Sequence, residues 1–472
     1  MTITAEAILK KVCKAIDILI DAGKKYKGLF PSLLDLNTHE MLTELPPAIE
    51  GQRNGDRAHP GNNLIHDEAI LMTMYALGQP DYREAAERYL CRFANHCTNT
   101  ETGIFPWGEH AFWHLTEDRV GNSFVDVAYP DRPQDSAIHD HLRQAPVWLW
   151  EKLYAFNPTC VERFAEGLDY HWTEGEGWEY IRHAPIEKRS HLKRGDRACD
   201  FPRHSGFYIL DWSFAYVKTS RGDFLEQIWR MVDYWWLKRD DDGLLLTESR
   251  SPQQDMNFYG VKALGQTLSL GASLLESANV LENKESTLAS KMRKRAATYI
   301  DGFLRAPHNL EEGIFAISWK PGEAGHVSAM PIWGSRYGLW PACYVALTSL
   351  CAYGLTSDER LLHWAEAVGH CYLHTTFPEN VAVPAMDAGL GLGLLADLFA
   401  VTKEAKWLDG GMQLAEKLIG VYFETELPRG AAGIHWYESQ MGPSFLLHGL
   451  ARIALLARNG GECALAADYT AR

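Results

Sequence analysis

The chain has 472 residues, 46% of them hydrophobic and 23% charged, a balance that excludes a disordered protein. Lys and Arg number 46 against 61 Asp and Glu, so the formal charge is −15, which argues against a broad nucleic-acid surface or an anionic-membrane binder. An acidic substrate stays allowed, because it needs only a local basic cleft.

The N-terminal stretch is amphipathic and reads as the first helix rather than a signal peptide. Helical periodicity then recurs along the chain, near 5–25, 63–78, 82–98, 143–155, 158–172, 206–219, 222–237, 257–281, 284–305, 337–354, 357–373, 386–401, 404–421 and 443–458. Turn and N-cap signals separate the members of each pair, as in Gly78-Gln79-Pro80-Asp81, Asn157-Pro158, Ser220-Arg221-Gly222-Asp223 and Thr356-Ser357-Asp358. A second phrase, Gly followed by apolar residues, follows the pairs at Gly28-Leu29-Phe30, Gly103-Ile104-Phe105, Gly177-Trp178, Gly243-Leu244-Leu245, Gly313-Ile314-Phe315 and Gly433-Ile434. Thr376-Phe377-Pro378 is a degenerate seventh copy.

This repeat predicts an all-α fold, an α/α toroid (barrel) of about seven helix pairs, built as a single domain over 1–472. Helices such as 386–401 are apolar throughout and belong inside the ring, while 284–305 and 404–421 carry charge on one face and belong outside. The first and last helices lack sequence partners and pair with each other to close the ring. The long loops 27–62, 99–142, 173–205 and 306–336 then gather at one end and form a cleft. Nine scattered Cys without a CxxC predict free thiols, and no run of 18 apolar residues predicts a membrane span, so the expected location is cytoplasmic. No feature bears on oligomeric state. The 16 Trp, 20 Tyr and 18 Phe suit a cleft in which sugar rings stack on aromatic faces.

Three loop segments concentrate chemistry. Trp107, Glu109 and His110 lie together after a Gly turn, His139-Asp140-His141 precedes one helix, and Arg203-His204 precedes another. Imidazole with carboxylate suits Mn²⁺, Fe²⁺, Zn²⁺ or Ni²⁺, although these His equally serve as helix caps or sugar hydrogen-bonders. A basic run, Lys188, Arg189, His191, Lys193, Arg194 and Arg197, reads either as a solvated loop or as a polyanion contact at the cleft mouth. A second set, Asp67, Glu68, Asp255, Asp387 and Glu438, falls at starts of proposed inner helices. Paired carboxylates there suit a glycosidase, while an Asp at such a position is commonly an N-cap, the reading preferred for Asp387.

With these residues the chain resembles the family-2 polysaccharide lyases, pectate lyases of the α/α-barrel type. Asn62-Asn63-Leu64 and Pro80-Asp81-Tyr82-Arg83-Glu84-Ala85-Ala86 open helices as in that family. Trp107-Gly108-Glu109-His110 is similar to its Trp-Gly-Gly-His, His139-Asp140-His141-Leu142 to its His-Glu-Leu-Lys, Arg203-His204 to its Ser-Arg-His, and 332–338 is similar too. The resemblance implies a divalent metal, typically Mn²⁺, on His110, Asp140 and His204, with His141 in place of Asp140 if the register slips by one. It implies Arg203 as the base that removes the C5 proton of a uronate, followed by β-elimination of an acidic oligo- or polysaccharide. Lys188 or Arg336 would depress the guanidinium pKa, and both are expected, with Trp107 and Tyr337, to bind substrate. Trp107, Trp113, Trp333 and Tyr337 are candidates for sugar contacts. Other readings are a hydrolase of unsaturated uronides, a sugar 2-epimerase using His such as His204 and His435, and a non-catalytic carbohydrate-binding barrel. No nucleic-acid or membrane partner is expected.

Overall fold

Two kinds of helix alternate along the chain. The computed structural model describes residues 3–131, 136–174, 179–193, 200–247, 260–320 and 327–471. Among them are fourteen α-helices: α1 (Ala5–Gly23), α2 (Leu64–Ala76), α3 (Pro80–Arg92), α4 (Val147–Phe156), α5 (Pro158–Gly167), α6 (Pro202–Thr219), α7 (Gly222–Trp236), α8 (Leu264–Leu281), α9 (Ser286–Arg305), α10 (Ala342–Thr356), α11 (Glu359–His374), α12 (Ala385–Thr402), α13 (Ala405–Tyr422) and α14 (Pro443–Arg458). In α12 every residue from Ala385 to Leu398 is buried. In α7 burial is confined to a stripe, Phe224, Ile228, Met231, Val232 and Trp235, at helical spacing. The even-numbered helices are therefore inner and the odd-numbered ones outer.

The inner helices close a ring. α6 packs on α8, α8 on α10, α10 on α12, α12 on α14 and α14 on α2. Tyr75 of α2 meets Trp148 of α4 edge to face, and Trp150 of α4 donates to Asp211 of α6. α1 packs on α14, so the first and last helices do form the closing pair. The architecture is the expected α/α toroid. Helix α12 is long and apolar enough to cross a membrane by composition, contrary to the sequence reading, but 83% of it is buried within the ring.

Connections from inner to outer helices are short. After α6, α10 and α12 the chain reverses through one left-handed residue, Ser220, Ser357 or Lys403. Connections from outer to inner helices are long, and all lie at the N-terminal end of the inner helices. The recurring Gly turns sit here, and Gly28, Gly103, Gly243, Gly313 and Gly433 all take positive φ. The Gly177-Trp178 copy lies outside the described residues.

These loops also form short antiparallel strands that helical periodicity cannot reveal. Leu33–Asp35 pairs with Trp436–Glu438, Ala111–His114 with Arg119–Asn122, and Ile138–His139 with Ala184–Pro185. Several helix starts differ from expectation: α4 and α10 begin at Val147 and Ala342, four and five residues late, and two more bear on the site. α6 starts at Pro202, which is pre-organised for a first helical position, so Arg203 and His204 lie within its first turn and not before it. α8 starts only at Leu264, seven residues later than the periodicity suggests.

Candidate active site

A cavity of about 240 Å³ opens at the loop end of the ring. Arg143 precedes α4, Arg203 begins α6, Tyr344 begins α10, Met386 and Asp387 begin α12, and Gln440 precedes α14; all of them line it. Each inner helix presents the positive end of its dipole to this side, which favours an anionic ligand. Loops add Glu109, Arg182, Phe201, Tyr337 and Trp340 to the wall.

Three arginines face this space. Arg203 lies over the Trp340 ring at 4.4 Å, and its pKa falls to about 10 through burial, with Arg182 and Arg143 adding to the effect. The depression thus has a different origin from that expected. Lys188 and Arg336 are exposed and do not line the cavity. Arg182 bridges Asp140 and, at 3.3 Å, Glu109. Arg143 is buried over the Phe445 ring at 4.6 Å, and its Nε has no partner. Burial lowers its pKa, and no carboxylate lies within 4.0 Å of it among the described residues.

Asp387 is the distinctive acid of the cavity. Tyr344 Oη donates to its Oδ1 at 2.6 Å, while Oδ2 is buried without a partner. Burial raises its pKa to about 7, against the opposing effects of Tyr344 and Arg143. The preferred reading of this residue as an N-cap is therefore wrong, because its carboxylate meets a neighbouring helix instead of its own backbone.

The imidazole-carboxylate cluster lies beside this cavity. Ligand atoms of His110, Asp140 and His183 fall within 4.8 Å of one another. His183 went unnoticed in the sequence, where it stands alone; its pairing with Asp140 comes from the strand pair that joins Ile138–His139 to Ala184–Pro185. His204 approaches the other oxygen of Asp140 at 3.2 Å but does not belong to the group of three. His141 instead faces Asp211 at 3.6 Å and is enclosed by Phe164, Phe207 and Tyr208. The donor set fits a divalent cation: it joins imidazole and carboxylate, and His183 Nε2 is buried without a hydrogen-bond partner. Arg182 competes for the same carboxylate.

A hydrogen-bonded chain holds this cluster. Trp107 Nε1 donates to His139 Nε2 at 3.1 Å, His139 Nδ1 to His171 Nε2 at 2.9 Å, and His171 Nδ1 to the Ile181 carbonyl at 2.9 Å. An indole only donates and a carbonyl only accepts, so both imidazoles are neutral with assigned tautomers. Burial holds His171 down to about 4 and His139 well below its ordinary value. The chain anchors the residues flanking Asp140 and Arg182. Trp107 is fully buried in it, so its expected sugar contact is corrected. Trp113 and Trp333 are buried as well; Trp113 donates to Asp118 and Trp333 packs on Tyr372. Tyr337 does line the cavity, with Trp340, which the sequence reading passed over.

The other carboxylates separate. Glu438 receives two bonds from Arg57 at 2.8 Å and one from Gln52 at 2.7 Å, a buried structural pair. Asp67 accepts from Asn62 and Tyr89. Asp255, Arg194 and Arg197 lie outside the described residues. His435 is exposed beside Glu424, so it is not joined to His204.

No protein-family model and no curated protein matches the sequence. Membership of the family-2 lyases is therefore not shown. Solved structures share the fold. A D-mannose isomerase matches with TM-score 0.52 and 11% identity over 80% of this chain and 98% of that one. A cellobiose 2-epimerase from Bacillus thermoamylovorans B4167 matches with TM-score 0.50 and 10% identity over 78% and 95%. At such identities these similarities show a common α/α toroid.

Proposed function

We propose that the protein is a carbohydrate-active enzyme that binds an acidic saccharide in the cavity and hydrolyses its uronide linkage, with Asp387 as general acid. The observation that carries this reading is Asp387 itself, a buried carboxyl poised at about 7 in a cavity lined by three arginines. A carboxylic acid still protonated near neutrality can give its proton to the reacting saccharide. Arg143 and Arg203, backed by the inner-helix dipoles, hold the uronate carboxylate. Trp340 and Tyr337 offer faces to the sugar ring. Glu109, on the same wall, is placed to accept a proton from the attacking water. The saccharide class is supported by the toroid shared with two proteins named for sugar isomerisation and epimerisation. We also take the chain to work as one toroid unit, supported by an apolar cluster that includes residues of all fourteen helices.

A second reading, metal-assisted β-elimination, is favoured by the convergence of His110, Asp140 and His183 and by the unpartnered His183 Nε2. There His110, Asp140 and His183 would hold the ion, and the ion would stabilise negative charge developing on the uronate. Arg203, with its lowered pKa, would take the proton.

One ultraviolet assay separates the two. Hydrolysis of an unsaturated uronide frees a sugar that opens to a keto acid, so the conjugated absorbance falls. β-Elimination from a saturated uronide creates that absorbance, so it rises, and chelation abolishes the rise. A fall that survives chelation is expected. A chelator-sensitive rise replaces hydrolysis with elimination, and no change in absorbance with no reducing sugar released from any uronide overturns both.

A further inference from the structure

The chain beyond α14 re-enters the ring. Arg452 donates to the Leu465 carbonyl, and His448 Nε2 lies 3.0 Å from the Ala466 carbonyl. Leu465 thus meets the later part of α14 and Ala466 the earlier part, so the segment climbs antiparallel to α14 toward the loop end. Leu465, Asp468, Thr470 and Ala471 are all buried. Tyr469 lies within electrostatic reach of Glu276 on α8, Cys351 on α10, Asp397 on α12 and Arg452 on α14, and Asp468 within reach of Glu68 on α2. A segment bonded to α14 and within electrostatic reach of four further inner helices runs inside the ring. At its upper end Gln144 donates its backbone N–H to the Thr470 carbonyl at 3.0 Å, next to Arg143, and Ala471 lines the cavity. Asp468 Oδ1 accepts from both Thr470 N, at 2.9 Å, and Thr470 Oγ1, at 2.6 Å, which fixes the turn that delivers Ala471.

We propose that residues 463–471 are an axial plug on which Ala471 walls the substrate cavity from inside the ring and limits its depth. Resting on the functional reading above, the plug makes the cavity a blind pocket for one terminal residue of an acidic oligosaccharide. The volume agrees, since about 240 Å³ is below the roughly 300–1,000 Å³ of pockets that enclose larger ligands. The plug is held by the side chains of Arg452 and His448 and by the Gln144 main chain, and its upper residues Asp468, Thr470 and Ala471 are buried, so it is a fixed wall.

The test combines product analysis with a substitution in that wall. Wild-type enzyme is given uronide di- to hexasaccharides and products are followed by mass. Release of one sugar residue at a time is expected; fragments from internal cleavage overturn the blind pocket. Ala471→Trp extends the wall into the cavity, and Ala471→Leu does so by a smaller step should the first fail to fold. A loss of about tenfold or more in kcat/KM with Tm unchanged is expected for a filled pocket. Unchanged kinetics in a folded variant overturn the plug and leave the functional reading standing. Failure of the wild type to bind or turn over any uronide, by calorimetry and by assay, overturns the functional reading, and the substrate assignment of the pocket with it.

Discussion

Asp387 holds a proton that an exposed aspartate would lose. Its pKa of about 7 stands above the ordinary value of 3.8, because burial penalises the charged form. Between these two values the native state binds a proton that the unfolded chain has released. Stability therefore falls as pH rises through this window, and the full cost is present above pH ~7. At about 1.4 kcal/mol per pKa unit that cost approaches about 4 kcal/mol. Asp387→Asn keeps an acceptor for Tyr344 and removes the titration. The variant is expected to melt several degrees higher than wild type at pH 8 and at the same temperature at pH 5, read by calorimetry at both. Its kcat is expected to fall by about 10²–10⁴-fold, the usual worth of a general acid. Arg143 is a separate case, a buried guanidinium on the cavity wall that the proposed function assigns to the substrate carboxylate. A charge-assisted hydrogen bond is worth about 1.5–3 kcal/mol, so Arg143→Met is expected to raise KM for a uronide by about 10–100-fold. The effect on a neutral sugar analogue should be far smaller, and steady-state kinetics on the matched pair of substrates checks it.

Among the elements, the inner helices pack closely because of where their small residues lie. A Cβ on Gly389 of α12 would meet the Leu446 backbone N of α14 at 2.4 Å, whereas one on Gly393, a turn later, would meet nothing within 4 Å. Gly389→Ala forces the backbones apart and is expected to cost about 1–3 kcal/mol. Gly393→Ala gains helix propensity, up to about 1 kcal/mol. Opposite shifts in the urea midpoints of the two variants are the check. The helices themselves were readable from the sequence because their signals are local: an apolar period, a Pro at the first turn of α3, α5, α6 and α14, and a reversing residue after α6, α10 and α12. The strand pair beneath Asp140 was not, because strands of two residues carry no period and their partners lie more than forty positions away.

For the whole molecule, ring closure places distant sequence together. Leu33–Asp35 pairs with Trp436–Glu438, and Arg57 pairs with Glu438 although 381 residues separate them. Both side chains of that ion pair are fully buried, so removing one charge strands the other. Glu438→Gln is expected to destabilise the fold by about 3–5 kcal/mol, measured by denaturant unfolding, with activity per folded molecule retained. That result would mark Glu438 as a clasp of the ring and separate it from Asp387.

The sequence by itself determined the alternation of helices, the seven-pair toroid, the pairing of first and last helices, and the end of the ring where long loops collect. Each of these follows from periodicity and turn chemistry within a few tens of residues. It also pointed to His110, Asp140 and Arg203, because unusual polar density in a loop is visible locally, and to Tyr337 through the family resemblance of 332–338. Tertiary structure alone decided that Trp107 is core, that Lys188 and Arg336 stand clear of the cavity, and that Arg143, Arg182 and Trp340 line it. It alone turned Asp387 from a cap into an acid and sent 463–471 inside the ring. Burial and its effect on charge are properties of the packed ring, set by neighbours far away in sequence, and no spacing along the chain records them.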